Sequence, residues 1–352
     1  MQKELLHYLR CPVSKEKLTL QIISTAQKDF KGIKTDVIKE GLLFSPAGFI
    51  FPIINFIPRL LPGSLIDHRD FIVSHYHGYA NDLHKLEKNY GDLIKATIAG
   101  SRRTKKSFSK EWSLYDYDAD KTWDADNDGM LNRFLTETGE TRQSLQAKLI
   151  FDAGCGNGKL NNLLANAGAT IIGVDLSNSV ERAYQKNDHP AAFFVQGDIL
   201  YPPFEHSSFD IVHSSGVLIC TKDPEFSFSV LDQFVKPQGK MSVWLYHPRK
   251  NLVHNLFNLT RRVTSKLPIG FQYNLYKITL LPVSWIIKRI KGNRQTTNEM
   301  MIDIMDWFSP QYRWEIKHET AKQWFDKRNY SHVEMTTNEV FGFNITGVKA
   351  IA

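Results

Sequence analysis

From residue 146 onward, short apolar runs alternate with stretches of helical spacing. AKLIFDAG (147–154) is an apolar run that ends in a glycine turn, and LNNLLANAG (160–168) spaces its leucines as a helix does before Gly168. ATIIGVDLS (169–177) is a second run, with ERAYQKN (181–187) beginning a second helix. AAFFVQGD (191–198), FDIVHSS (209–215) and KMSVWLYH (240–247) are three more, with helical spacing over 226–235 before the last. Near-continuous apolar runs belong to strands buried on both faces, so the pattern predicts a parallel α/β sheet with helices on each side. Later, 319–327 reads as a helix, and 331–337 and 340–348 as two strands at the edge of the same sheet, the last antiparallel.

Ahead of this region, residues 1–65 read as a small β-rich unit. Strand-like runs at 18–23 and 42–54 are separated by a charged connection, and prolines at 46, 52, 58 and 62 enforce extended or turn geometry. Residues 66–145 read as a helical connector or cap, with the basic SRRTKKSFSK (101–110) as a solvated connector. His68, His75, His77 and His84 lack a recognisable ligand spacing and read as surface or packing histidines. DADNDG (124–129) copies the first half of a calcium loop, but Leu135 stands where the bidentate Glu belongs. A turn leading into a helix near 131–138 is the better reading. The expected organisation is therefore 1–65, 66–145, 146–248, an insertion at 249–298, and 299–352.

Charge singles out the insertion. The 352-residue chain has a formal charge of +7, yet residues 249–298 alone hold ten Lys or Arg and no Asp or Glu. Leu252, Leu256, Leu259 and Val263 recur at helical spacing, and Leu280 to Ile287 form a second apolar group followed by Lys288, Arg289 and Lys291. This is an amphipathic pattern with four open roles: a lid over a hydrophobic acceptor, a contact with an acidic membrane surface, a subunit contact, or a solvated insertion. Basicity confined to one segment argues against a general nucleic-acid binder. Three widely spaced cysteines, Cys11, Cys155 and Cys220, describe no disulfide framework and fit a reducing, cytoplasmic setting, with the insertion allowing peripheral membrane contact. No stretch reads as a signal peptide or membrane span.

The chemistry concentrates in FDAGCGNG (151–158). Gly154, Gly156 and Gly158 let the backbone turn tightly and approach a ligand. Asp152, before the first glycine, would oppose a pyrophosphate but suits a cationic ligand. Asp175 closes the next strand, where ribose hydroxyls are held, and Asp198 ends the following one near an adenine edge. A carboxylate-lined nucleoside pocket without a phosphate cradle matches S-adenosylmethionine, which carries a sulfonium and no phosphate.

FDAGCGNGKL, GVDLS, FVQGDIL, FDIVHSSGVL and VKPQGKMSVWLY, in that order and spacing, resemble the motif series of class I S-adenosylmethionine-dependent methyltransferases, chiefly those acting on small molecules, quinones and lipids. DWFSP (306–310) also looks like members of this group. The resemblance implies an α/β, Rossmann-like doubly wound fold. It implies that Asp152, Gly154 and Gly156 line the methionine portion, that Asp175 holds the ribose with Leu176 against the adenine, and that Asp198 and Ile199 face the adenine amino group. Ser214 would contact the cofactor beyond the fourth strand. Many relatives carry a His pair where this chain has Val217-Leu218-Ile219-Cys220, so any substrate contact by those rings is lost. The stretches LLHYLRCPVSKEKLTL and GLLFSPAGFIFPIINFIPRLLP resemble a small zinc-ribbon domain, but Ser14 stands at the second-ligand position and Phe44 and Ser45 offer no thiolate. The expectation is a metal-free remnant.

Direct displacement needs an acceptor aligned with the methyl carbon, and a base only if the acceptor must lose a proton. His247, after VWLY, and His213, in FDIVH, are the candidates by location, while Tyr246 reads as pocket wall. The expected reaction is methyl transfer to a small or lipid-like acceptor, yielding S-adenosylhomocysteine. RNA methylation and a non-catalytic binding protein of the same fold are the competing readings, and a homo-oligomer is allowed in each.

Overall fold

The computed structural model describes residues 1–115, 117, 127–249 and 252–351. Residues 124–126 of the calcium-like loop lie outside them. After a short helix α1 (Leu5–Tyr8), four strands follow: β1 (Thr19–Phe30), β2 (Ile33–Phe44), β3 (Ile50–Ile54) and β4 (Ile57–Leu60). The polar stretch expected as a connection is therefore most of a long hairpin. Its turn is made by Gly32 at φ +93°, whose N–H donates to Asp29 Oδ1 at 2.6 Å. The charged side chains belong to the hairpin's largely exposed end, which concealed the strands from a reading based on apolar runs.

Helices α2 (Ser64–Asp67), α3 (Arg69–His75), α4 (Tyr79–Leu114) and α5 (Asn127–Thr138) form the connector. At 36 residues α4 is about 54 Å long. SRRTKKSFSK lies within it rather than forming a loop, because nothing between Tyr79 and Leu114 breaks the helical hydrogen bonding.

The alternation continues with β5 (Leu149–Ala153), α6 (Lys159–Asn166), β6 (Thr170–Asp175), α7 (Ser179–Lys186), β7 (Ala192–Gly197), β8 (Phe209–Ser215), α8 (Pro224–Asp232) and β9 (Val235–Tyr246). Then come α9 (Leu252–Thr264), α10 (Ile269–Ile290), α11 (Thr297–Phe308), α12 (His318–Asp326), β10 (Tyr330–Asn338) and β11 (Gly342–Lys349). The strands make one sheet in the order β1-β2-β3-β4-β7-β6-β5-β8-β9-β11-β10. From β4 to β9 neighbours run parallel; β11 is antiparallel to both β9 and β10. Order reverses between β5 and β8, and such a switch point opens a crevice at the strands' C-terminal ends.

Adjacent residues on the central strands enter different cores. Phe151, Ile172, Val174, Phe193, Val195 and Val212 join one cluster, while Ile150, Ile171, Ala192, Phe194 and Ile211 join the other. That is why the runs are apolar throughout. Each such fully buried aliphatic or aromatic side chain contributes about 1.5–3 kcal/mol.

The N-terminal unit continues this sheet. β4 pairs with β7 in the register Arg59↔Gln196 and Leu60↔Gly197. Arg59 donates to Gln196 Oε1 at 2.9 Å and to Glu181 Oε1 at 2.5 Å. Cys11 is buried, with the Ser14 N–H 3.5 Å from its Sγ, and the Ser14 and Ser45 hydroxyls lie 3.3 Å apart.

Candidate active site

Gly154 and Gly156, in the turn after β5, have φ +96° and +52°, and Gly158 precedes α6 at +71°. A Cβ at Gly156 would come 2.6 Å from Trp112 Cζ2, so the indole of α4 lies directly over the loop. The Gly156 N–H donates to Asp175 Oδ2 at 3.0 Å, while Asp175 Oδ1 receives the Ser177 N–H at 2.8 Å and its hydroxyl at 2.6 Å. Asp198 Oδ1 receives the Leu200 N–H at 2.9 Å. Burial raises the pKa of both carboxyl groups above the ordinary carboxylate value, against the pull of these hydrogen bonds.

Gly154, Gly156, Asp175, Leu176, Asp198 and Ile199 all line one cavity of about 1190 Å³ at the C-terminal ends of the strands. The crevice therefore gathers six of the eight residues expected to meet the cofactor. Two others lie elsewhere. Ser214 is buried with its hydroxyl donating to the Ala153 carbonyl at 3.0 Å; Ser215 and Gly216 line the cavity beside it. Asp152 is turned into the core, where Oδ1 lies 3.2 Å from His213 Nδ1.

Neither His213 nor His247 is among the residues that line this cavity. His213 is buried between Asp152 and Glu137 Oε2, the latter 3.3 Å from Nε2, with Phe134 edge-on to its ring. Burial opposes its charge, but the hydrogen bonds and charges of the two carboxylates prevail and raise its pKa to about 9. An imidazolium so held is a structural cation, not a base. His247 Nε2 lies 3.0 Å from the Glu339 carbonyl oxygen, and the ring is not part of the cavity lining.

The far end of the cavity is built from segments distant in sequence. Tyr246 Oη donates to Asp306 Oδ2 at 2.8 Å. The Arg313 guanidinium stacks over the Tyr246 and Trp307 rings at 4.0 and 3.9 Å and donates to Glu315 Oε1 at 3.1 Å, where His254 also pairs. Burial, reinforced by Asp306, pushes the Tyr246 phenol well up; burial also raises Asp306. Around this pair the walls are apolar, including Phe108, Phe257, Leu280, Val283, Ile287 and Phe308. Val217 and Cys220 line the cavity where the related His pair was expected, and Ile219 is fully buried.

Residues 151–243 match the family model described as a methyltransferase domain. They are an S-adenosylmethionine-dependent methyltransferase domain of the class I, Rossmann-like fold. The chain is 26% identical over 237 residues to the mitochondrial ubiquinone biosynthesis O-methyltransferase of Schizosaccharomyces pombe, a match covering 60% of this chain and 85% of that protein. The ubiquinone biosynthesis O-methyltransferase of Thiobacillus denitrificans is 28% identical over 116 residues, covering 32% of this chain and 48% of the relative, about half its length. Among solved structures, magnesium protoporphyrin IX methyltransferase from Synechocystis aligns with a TM-score of 0.43 at 16% identity, over 71% of this chain and 100% of that one.

The residues present fit the cofactor of such a domain. The glycine loop leaves room where side chains would fill the cradle, and the donor set beside it is carboxylates without a phosphate-binding cluster of cations. The residues that the motifs singled out at the glycine loop and the following strand ends are close along the chain, and six of them share the cavity. Glu111 and Arg313 carry no local signature, and Asp306 was visible only as the first residue of DWFSP with no role attached; the packing of α4 and α11 brings Glu111 and Asp306 to the crevice.

Proposed function

We propose that this methyltransferase methylates a hydroxyl group of a small amphiphilic acceptor. The observation that carries the reading is the gradient within one cavity, from aspartates at the glycine loop to mainly apolar side chains of α9, α10 and α11 around the Tyr246–Asp306 pair. Relatives that act in ubiquinone biosynthesis as O-methyltransferases support it.

S-adenosylmethionine supplies an electrophilic methyl group on a sulfonium. Asp175 holds the ribose hydroxyls, and Leu176 and Ile199 pack on the adenine near Asp198. Gly154 and Gly156 permit close approach to the methionine portion. Asp306, with Oδ2 fixed by Tyr246, presents Oδ1 to the acceptor hydroxyl and takes its proton. Its raised pKa brings the carboxylate nearer the strength a general base needs. The apolar walls orient the acceptor's body and exclude water, so much of the acceleration comes from positioning.

The insertion supports a contact with an anionic bilayer. Leu252, Leu256, Leu259, Val263, Ile278 and Ile290 are exposed on α9 and α10, in a segment with ten cations and no carboxylates. No helix among the described residues is long and apolar enough to cross a membrane. A surface contact gains from buried apolar area and from lipid charge together. Leu280, Val283 and Ile287 of α10 also line the cavity, which would let a lipid-like acceptor enter from that surface. In this reading the first 65 residues act as a metal-free scaffold at the sheet's edge.

The test is transfer of labelled methyl from S-adenosylmethionine to a fractionated metabolite extract. Label in an organic-extractable product, lost in Asp306→Asn, supports the reading. Label in RNA would replace it with the nucleic-acid alternative, and failure of S-adenosylhomocysteine to bind in calorimetry would sink the enzyme altogether.

A further inference from the structure

The carboxyl group of Glu111 has no part in the arrangement above, yet it lines the same cavity. It sits near the end of α4 at 2% exposure, and its Oε2 has no hydrogen-bond partner. Its neighbour Trp112 covers Gly156. Glu111 feels the charges of Asp306 and Asp303 on α11 and of Asp175 at the end of β6, and Cys220 feels Glu111 in turn. It therefore shares the cavity with the Tyr246–Asp306 pair and with the ribose-side carboxylate Asp175, within electrostatic reach of both.

Lys222, Arg249 and Lys291 also line the cavity, but the charges that act on Glu111 are those of carboxylates, and two cations on the helices packed against α4 are engaged elsewhere. Arg182 of α7 donates to the carbonyls of Trp112 and Tyr115, and Lys288 of α10 pairs with Asp303 at 2.5 Å. An unpaired carboxylate buried among other carboxylates is costly, so the group keeps its proton. Burial first, then Asp306, Asp175 and Asp303, hold the Glu111 pKa well above the ordinary value.

We propose that Glu111 is a charge-discriminating residue of the cofactor site: it is a neutral acid in the empty cavity, releases its proton to solvent when a sulfonium enters, and regains one beside the uncharged thioether of the product. This rests on the methyltransferase reading. The sulfonium supplies the counter-charge that the site lacks, so S-adenosylmethionine is held by an ion pair and S-adenosylhomocysteine is not. The same residue thus favours entry of the cofactor and departure of its product.

Linkage makes this measurable by binding alone. Calorimetry across a pH series, in buffers of different ionisation enthalpy, should show proton release per S-adenosylmethionine bound that rises to a maximum of about one, and about none per S-adenosylhomocysteine. Below the empty-site pKa, and above that of the occupied site, the Kd for S-adenosylmethionine should fall about tenfold per pH unit while that of the product stays level. Glu111→Gln should bind both ligands with no proton released and a flat preference between them. The wild-type pH series carries the same test without any substitution. Equal proton release with both ligands, release that persists in Glu111→Gln, or release abolished only by Asp306→Asn each overturns the proposal while leaving the methyltransferase reading intact. If neither ligand binds, that reading fails and the proposal falls with it.

Discussion

Tyr246 Oη and Asp306 Oδ2 lie 2.8 Å apart, joining the last residue of β9 to the final turn of α11. Arg313 stacks on the same phenol, and the Ile316 N–H donates to the Tyr246 carbonyl at 2.8 Å. The acceptor end is thus fixed from three directions, although its parts are some sixty residues apart in sequence.

Removing that hydrogen bond separates catalysis from cofactor binding. Tyr246→Phe should lower kcat about 10- to 100-fold with S-adenosylhomocysteine affinity unchanged within about twofold, because the phenol only orients Asp306. In the wild type, kcat should rise with pH as Asp306 ionises and then level off. That limb should vanish in Asp306→Asn. A pH–rate profile that is the same in both would remove Asp306 from the role of base.

Gly156 carries both a left-handed conformation and a close approach. Gly156→Ala adds about 1 kcal/mol or more of backbone strain and drives a methyl group towards the Trp112 indole. The expected outcome is a loss of cofactor affinity of at least about tenfold with a small drop in Tm. Calorimetric titration with S-adenosylhomocysteine checks it; unchanged affinity would mean that the loop and the indole do not frame the cofactor.

The His213 pKa of about 9 stands above the ordinary imidazole value of 6.5, so folding favours the protonated form. Its contribution, on the order of a few kcal/mol, is fully present below pH ~6.5 and is lost as the pH rises through about 9. Denaturant midpoints measured from pH 6 to 10 should fall across that window. His213→Gln should be less stable near neutrality by about 3–5 kcal/mol, because two buried carboxylates lose their partner, and should show a flatter alkaline profile.

The membrane-facing reading predicts a surface effect without a folding effect. Ile278 and Ile290 are 76% and 81% exposed, so replacing both with Asp should leave Tm within about 2 °C. Sedimentation with anionic vesicles should nonetheless weaken at least about tenfold, and wild-type binding should fall as salt rises. Vesicle binding equal in mutant and wild type would exclude this face.

The central strands and the glycine loop were legible because burial on both faces leaves nearly uninterrupted apolar runs, and because the turns between them need glycine. The edge hairpin was legible only at its start, since beyond Ile23 the strand runs through the nearly all-polar STAQKD, with no apolar run or alternation to mark it. Asp152 shows the limit of reading one motif at a time. It pairs in register with His213 on the neighbouring strand. Two polar residues at equal depth in two apolar runs were a cue that each satisfies the other. Glu111 left no such cue, because α4 closes over the crevice through tertiary packing alone.

The pairing of β4 with β7 also sets a timetable. Arg59 and Leu60 leave the ribosome long before Gln196 and Gly197, their partners in the register. At about 5–20 residues per second, the hairpin unit waits on the order of ten seconds for its neighbour to be synthesised. Throughout that interval the β4 edge is an open template for another chain. The hairpin unit is therefore complete long before the strand it pairs with, and a nascent chain stalled short of residue 197 would be the species most prone to pair with the wrong strand.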